Sequence, residues 1–513
     1  MVQMGVLYTI SSREDTSRED KQGLDFTVCL AWSIVTGETI AYSHLFLFVF
    51  KLFFPESGMI ELLISVVALV LAGWAIAKNY DAKVVLFATG LVLLVIAVLM
   101  GYPAVAAKAS SGLSWVDPFK AVKDLFVRQY SNAGLIIMTL FGFAAYMSHI
   151  GANDMVIRVL SKPLEGIRSP YVLVPLVFWV GTMLSIIIPS ASSLAVILMA
   201  TLYPVLRAAK MSVLTAAGVI ATTATIVPTP LGGDNVVAAR VLGFEHVVDY
   251  VFYHHAPITI PAIVVMGIVH FFWQKYMDSR QKGHEQGEID ESKLKHRDLS
   301  DVPVYYALFP VLPLILVFFF WFFFRQAKVG LVEITLFSFA LAFVCELIRK
   351  GGVKQGMKDA NLFFKGMGDG FSQVVVLIVA ASTMVAGLRA MGLIDMISDS
   401  IAGVENAGTG MMFAFSGITA LITFISGSGN AVFYSFIELI PQIAEKAGID
   451  PIMVALPMQC TSNLIRAISP VSAVVIIVAA AVRANPLEVV KRTAVPMLSG
   501  FLAVMIISFI RYV

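Results

Sequence analysis

Four short polar clusters interrupt long apolar runs, and they are the places where this chain could do chemistry. Ser190, Ser192 and Ser193 follow Pro189 inside the run 171–207. Thr229, Gly233, Asp234 and Asn235 belong to PTPLGGDN (228–235), inside 212–242. Ser426, Gly427, Ser428, Gly429 and Asn430 interrupt 409–444. Thr461, Ser462 and Asn463, then Arg466, Ser469 and Ser472, break up 450–482. Backbone broken inside a membrane leaves N–H and C=O groups that cost several kcal/mol each unless protein, water or a ligand meets them. Hydroxyls and amides both donate and accept. Glycine lets backbone turn and come close to a ligand. Half-helix N-termini point positive dipole ends at anions. Two hairpin tips and two broken helices meeting at the midplane would form one anion site.

Arg466 stands four residues after Ser462, deep in an apolar run. A charge there is a functional candidate by default, and its planar fork suits a carboxylate bidentately. Asp234 is deep as well. It reads as a coupling-ion site, a proton site or the partner of Arg466, and the sequence does not choose. Arg389, Asp154 and Asp395 fall near span ends and read as snorkelling interface residues. His254 and His255 fall in an amphipathic stretch and read as interfacial. The aromatic run FFFWFFF (318–324) reads as a lipid-facing belt. Cys29, Cys345 and Cys460 are far apart in apolar segments, which fits neither a disulfide framework nor a metal cluster. No metal or cofactor is expected.

The elements that must hold these clusters are membrane helices. Of 513 residues, 58% are hydrophobic and 14% charged, where soluble proteins carry about 25% charged residues. The mean hydropathy is +0.85. A soluble enzyme, a secreted disulfide scaffold and a disordered chain are excluded. A net charge of +2 gives no argument for nucleic acid. The charged segment SSREDTSREDK (11–21) is not a signal peptide. The weak span 26–54 carries Glu38, His44 and Lys51, so residues 1–58 are either an extra anchoring helix or a misplaced start. Clear spans are expected at 59–77, 84–101 and 131–150, with an amphipathic, interfacial stretch at 119–130. The 37 residues of 171–207 are too long for one crossing of a roughly 30 Å core, so they must enter and return. A second amphipathic piece, 243–255, leads to a span at 257–273. The polar stretch 275–303 reads as a solvated linker. Spans then recur at 304–324, 330–347 and 371–392, and the chain ends with one at 494–511.

The two halves, 59–274 and 304–513, repeat at an offset of about 240 positions. Gly151, Asp154 and Met155 match Gly392, Asp395 and Met396, and HVVDYVFYHHAP (246–257) matches NPLEVVKRTAVP (485–496). Each half has five single crossings and one in-and-out segment. That number is odd, so the second half should lie inverted. Inverted repeats with interrupted helices are the signature of a secondary transporter. No Walker lysine motif argues for a primary pump. If the loop after 59–77 is cytoplasmic, that side collects roughly 20 Lys and Arg against roughly 10 outside, which is the usual bias. The linker is then cytoplasmic and the carboxyl terminus external.

At SHIGANDM (148–155), SGSGNA (426–431), SNL, Arg466 and ISPVS (462–472), and VVKRTAVP (489–496), the chain resembles the DcuC family of anaerobic C4-dicarboxylate transporters. The resemblance runs from about Met59 to the end, which favours the misplaced start. It is looser at the first tip, where the family tends toward Ser-Ser-Ala-Thr-Gly, and at TPLGGDN (229–235), where it has a shorter Thr-Ser-Gly-Asp pattern. It implies the ion-transporter superfamily: an all-α polytopic protein with a scaffold domain, a transport domain carrying two opposed re-entrant hairpins, an elevator-like movement and usually a homodimer. It also implies carriage of succinate, fumarate and malate across the bacterial inner membrane, by proton-coupled transport or exchange. The alternative is a sodium- or proton-coupled carrier of another small organic anion. An intramembrane hydrolase would need a base beside Ser426 or Ser428, and no histidine lies near them in sequence. A channel fits poorly with an inverted repeat in one chain.

Overall fold

A computed structural model describes residues 59–78, 80–167, 169–188, 190–280, 299–401 and 406–513. The segment 1–58 lies outside these residues, as do Pro189 and 281–298 of the linker. Ser65–Val513 form one compact unit. The other unit is described only over 59–64, the first turns of helix Met59–Ala77. Among the described residues every regular element is helical, and nine helices are long and apolar enough to cross a membrane.

Local chemistry sets where these helices start and stop. Asp81 caps Ala82–Leu99 by accepting the Lys83 N–H at 2.9 Å. Gly151 (φ 81°) ends Leu135–Ile150 and opens Ala152–Ser161; Gly392 (φ 76°) stands between Val376–Ala390 and Leu393–Ile401 in the same way. The matched glycines of the two halves therefore mark one left-handed turn used twice, a conformation that favours glycine. In the second copy, Asp395 and Asp399 pair with Lys446 at 2.7 and 3.4 Å. The Asp395 hydrogen bond holds that ammonium above its ordinary range.

Two stretches read as separate interfacial pieces are continuous with the spans that follow. Asp117–Gln129 runs through a π-helical turn, Tyr130–Gly134, into Leu135–Ile150. This single element of 34 residues is about 51 Å long. Val353–Gly370 does the same through Phe371–Val375 into Val376–Ala390. Val247–Asp249 runs through Tyr250–His255 into Ala256–Arg280. Gly134 and Gly370 stand at two of these joins without stopping the chain, and the helix absorbs one widened turn and goes on. His255 faces the protein interior. It is 1% exposed and faces the Thr259 hydroxyl at 3.2 Å.

Small residues let these helices touch. A Cβ on Gly142 would stand 2.6 Å from the Phe363 carbonyl oxygen, and one on Gly90 would stand 2.4 Å from the Met384 nitrogen. Such approach is how membrane helices gain dispersion contacts where no hydrophobic drive exists. One group of helices thus packs 82–99 and 135–150 against 353–390. A second group is built on 256–280 and 486–512, which pack against each other. Between them Arg492, 1% exposed, donates to Asp278 at 2.6 Å and to the Thr215 hydroxyl at 3.1 Å, tying both to Val213–Thr222. The aromatic run is partly a belt, with Phe322 and Phe323 exposed, but Trp321 donates to the Asp249 carboxylate at 3.0 Å.

Candidate functional site

Each half contains a hairpin and a broken helix. The first hairpin is Pro170–Ile187 and Ala191–Thr201; the second is Ala407–Ser426 and Gly429–Ile437. The broken helices are Val213–Thr222 with Gly233–Val241, and Ile452–Arg466 with Ala473–Ala481. Each hairpin's returning limb reaches the other half's broken helix: 191–201 packs on 473–481, and 429–437 packs on 233–241 as well as on 452–466 of its own half.

This crossing brings both tips to one cavity of about 280 Å³. Its walls include Ser190, Ser192, Thr229, Asp234, Ser428, Asn430, Asn463 and Arg466. Three helix N-termini border it, through Ser190–Ser192, Gly232 with Asp234, and Ser428 with Asn430. Their dipoles all present positive ends to the same space. Phe141, Gln373 and Leu377 close it from the first helix group.

Arg466 donates to the Ala224 carbonyl at 2.8 Å. That bond uses one of five guanidinium donors and fixes the fork against the break of the first broken helix. Among the described residues no carboxylate lies within ion-pair distance of Arg466; Asp234 lines the same cavity and attracts it across that space without a direct ion pair. The Asp234 Oδ2 instead accepts from Gln459 at 3.0 Å and Asn463 at 2.8 Å. Gln459 also donates to Asn235 at 2.7 Å, and its own oxygen accepts the Tyr250 hydroxyl at 2.5 Å. That phenol fixes which way the amide points, and the amide joins the two broken helices.

The remaining candidates named from the sequence do not line the cavity. Ser193 meets the Ser190 hydroxyl at 2.9 Å, and its N–H is capped by it. Asn235 donates to the Val227 and Thr229 carbonyls at 3.0 and 2.9 Å, holding the break's shape. Ser426 accepts the Ser428 N–H at 3.3 Å, and Ser469 donates to the Phe424 carbonyl at 2.7 Å. The Ser472 hydroxyl is buried with no protein partner among the described residues. Thr461 and Ser462 are inside a helix and not in a break. Their hydroxyls donate to the carbonyls of Pro457 and Gln459, at 2.7 and 2.8 Å, and the interruption comes later, at 467–472.

The glycines divide by surroundings. Gly427 has φ 72° and its Cβ position lies 2.7 Å from the Val471 carbonyl carbon, so the tip turns there against the second break. A Cβ on Gly429 would stand 2.2 Å from the Ser462 carbonyl oxygen. Gly429 therefore serves helix packing, not ligand approach. Gly233 is open, with nothing nearer than the Tyr434 hydroxyl at 3.5 Å.

Sequence reasoning missed Tyr434, Gln373 and Gln459. Tyr434 lines the cavity with a hydroxyl that makes no protein hydrogen bond among the described residues. An aromatic in an apolar run gives no signal of this. Gln459 did carry one, because an amide inside a membrane run must find partners.

Three helix N-termini with Arg466 and Asp234 around one polar cavity, in a multi-pass helical membrane protein, are the arrangement of a carrier. Comparison gives the family. The family described as the C4-dicarboxylate anaerobic carrier, DcuC, matches residues 60–513, and this chain belongs to it. The anaerobic C4-dicarboxylate transporter DcuC of Escherichia coli K12 is 38% identical over 452 residues, covering 87% of this chain and 96% of that one. The probable anaerobic C4-dicarboxylate transporter DcuC of Vibrio cholerae is 36% identical, covering 88% and 98%. The fold is shared with two solved structures. One is MtrF of Neisseria gonorrhoeae, described among antimetabolite efflux pumps (TM-score 0.55, 15% identity, 85% and 97% covered). The other is the YdaH transporter of Alcanivorax borkumensis (0.56, 14%, 84% and 98%). The chain is thus a multi-pass inner-membrane transporter.

Proposed function

We propose that the chain carries C4-dicarboxylates (succinate, fumarate and malate) by proton-coupled transport or exchange. The observation that carries this reading is the convergence of three helix N-termini and the Arg466 guanidinium on one cavity of about 280 Å³. One substrate carboxylate meets Arg466; the other meets the second hairpin at Ser428 and Asn430. Ser190, Ser192, Thr229, Asn463 and Tyr434 supply further polar contacts.

Asp234 is the proton site in this reading. A dianion beside Arg466 and an ionised Asp234 leaves the cavity with excess negative charge, and a proton on Asp234 relieves it. Sodium would need several oxygen ligands. The break's carbonyls at Val227 and Thr229 already accept the Asn235 amide, which favours the proton.

The two halves then lie inverted across the membrane, as their repeated order of elements suggests. The helices of 82–99, 117–150, 312–323, 331–350 and 353–390 form the scaffold. The hairpins and broken helices, with 247–280 and 486–512, form the moving part, which slides in elevator fashion. Assembly as a homodimer follows from the family resemblance.

Counterflow in proteoliposomes tests this. Labelled succinate should accumulate when unlabelled succinate or fumarate is trapped inside, and acidification of the outside should drive net uptake. Asp234→Asn should abolish the response to the pH gradient. Absence of counterflow with every C4-dicarboxylate refutes the substrate class; a surviving pH response in Asp234→Asn refutes the proton site.

A further inference from the structure

One buried carboxylate takes no part in the site described above. Glu438 caps the C-terminal end of the second hairpin's returning limb, and its side chain is 12% exposed. Its Oε1 accepts from the Gln129 amide at 2.8 Å. The same Gln129 nitrogen donates to the Ser382 hydroxyl at 2.8 Å, so both amide hydrogens are committed to this junction. Gln129 is the last residue before the π-helical turn of the 117–150 element. Three separate elements therefore meet at one carboxylate.

The charged surroundings of Glu438 are sparse. Helix Asp117–Gln129 contributes Arg128, whose guanidinium is 4.0 Å from Oε2. Helix Val376–Ala390 contributes the neutral Ser382; its Arg389 is turned to Gln442 at 3.0 Å. On Ile440–Ala447, Lys446 is taken by Asp395 and Asp399. Ionised, Glu438 is held by an amide donor and attracted by Arg128. Protonated, it loses the attraction to Arg128 and weakens the amide bond, because hydrogen bonds to charged acceptors are the stronger ones.

We propose that Glu438 is a proton-binding site that fastens the second hairpin to helices 117–129 and 376–390 when ionised and releases it when protonated. The proposal rests on the reading of the hairpins as the moving part. It adds a second protonation event, away from the substrate, that sets how readily that part moves.

The test reads the fastening without substrate. Hydrogen–deuterium exchange of 429–447 is measured in lipid nanodiscs across roughly pH 5–9, a range spanning an ordinary or raised carboxylate, and corrected for intrinsic rate. Wild-type exchange should rise several-fold on acidification. Glu438→Gln, which keeps the shape without the charge, should exchange fast at every pH. Gln129→Leu removes a donor that favours the ionised form, so the midpoint should move to higher pH. A flat wild-type profile, a Glu438→Gln profile that keeps the wild-type pH dependence, or an unmoved midpoint in Gln129→Leu overturns the proposal. If Glu438→Gln does not fold, the Gln129→Leu midpoint decides alone. Failed dicarboxylate counterflow would sink the transport reading and leave this result standing.

Discussion

Gly429→Ala separates packing from ligand recognition at the second hairpin. The added methyl would lie 2.2 Å from the Ser462 carbonyl oxygen and 2.8 Å from its carbon, where ordinary contact begins at 3.4 Å. Backbone of Ile452–Arg466 cannot rotate aside as a side chain would. The two helices must part by about 1 Å, and overpacking of this kind costs about 1–3 kcal/mol. We expect the upper half of that range, because both neighbours are main chain. At about 2–4 °C per kcal/mol for domains of 150–250 residues, and less for a longer chain, the melting temperature should fall by several degrees. Asn430 and Ser428 move with the limb, so succinate affinity should fall as well, tenfold for each 1.4 kcal/mol transmitted to the site. The control is Gly233→Ala, also the first residue of a helix at the site but open to 3.5 Å, which should melt within about a degree of wild type. Differential scanning fluorimetry and ligand titration on purified protein read both quantities. An unchanged melting temperature in Gly429→Ala, with transport lost, would refute the packing argument and return this glycine to the ligand.

Three further outcomes follow from the same geometry. Arg466→Lys keeps the charge but loses the fork and its anchor on the Ala224 carbonyl, so succinate affinity measured by titration should fall about 10- to 100-fold, at about 1.5–3 kcal/mol for a hydrogen bond to a charged group. Asp278→Asn weakens one charged contact of the buried Arg492, which keeps its Thr215 and Gln274 acceptors, and a thermal or denaturant series should show a loss of about 1.5–3 kcal/mol. Asp249→Asn removes a carboxylate whose Arg325 partner is largely exposed; the same series should show a change below about 1 kcal/mol.

What the sequence made legible is what it writes in one short stretch. SGSGN (426–430) is a poor helix, and the structure turns at Gly427 and Ser428 within it. The offset between the halves survives as the paired turns at Gly151 and Gly392. The second break falls at Ser469–Pro470, one of the two places where the sequence put it, and not at Thr461–Asn463, where the hydroxyls of Thr461 and Ser462 satisfy themselves on their own helix carbonyls, which composition alone does not reveal. The π-helical joins left no mark, since a widened turn needs no special residue. Nor could the sequence say that Gln459 would point its amide at Asp234. That direction depends on Tyr250, 209 positions away in the chain.

The central claim is that a dianion binds between Arg466 and the second hairpin, and a structure determined with succinate or fumarate at saturating concentration tests it most directly. The account predicts ligand density in the 280 Å³ cavity, with one carboxylate on the Arg466 guanidinium and the other at the Ser428 and Asn430 end. Density seated instead in the larger cleft of about 490 Å³ lined by Arg240, Trp321 and Lys328, with the smaller cavity empty, would contradict it.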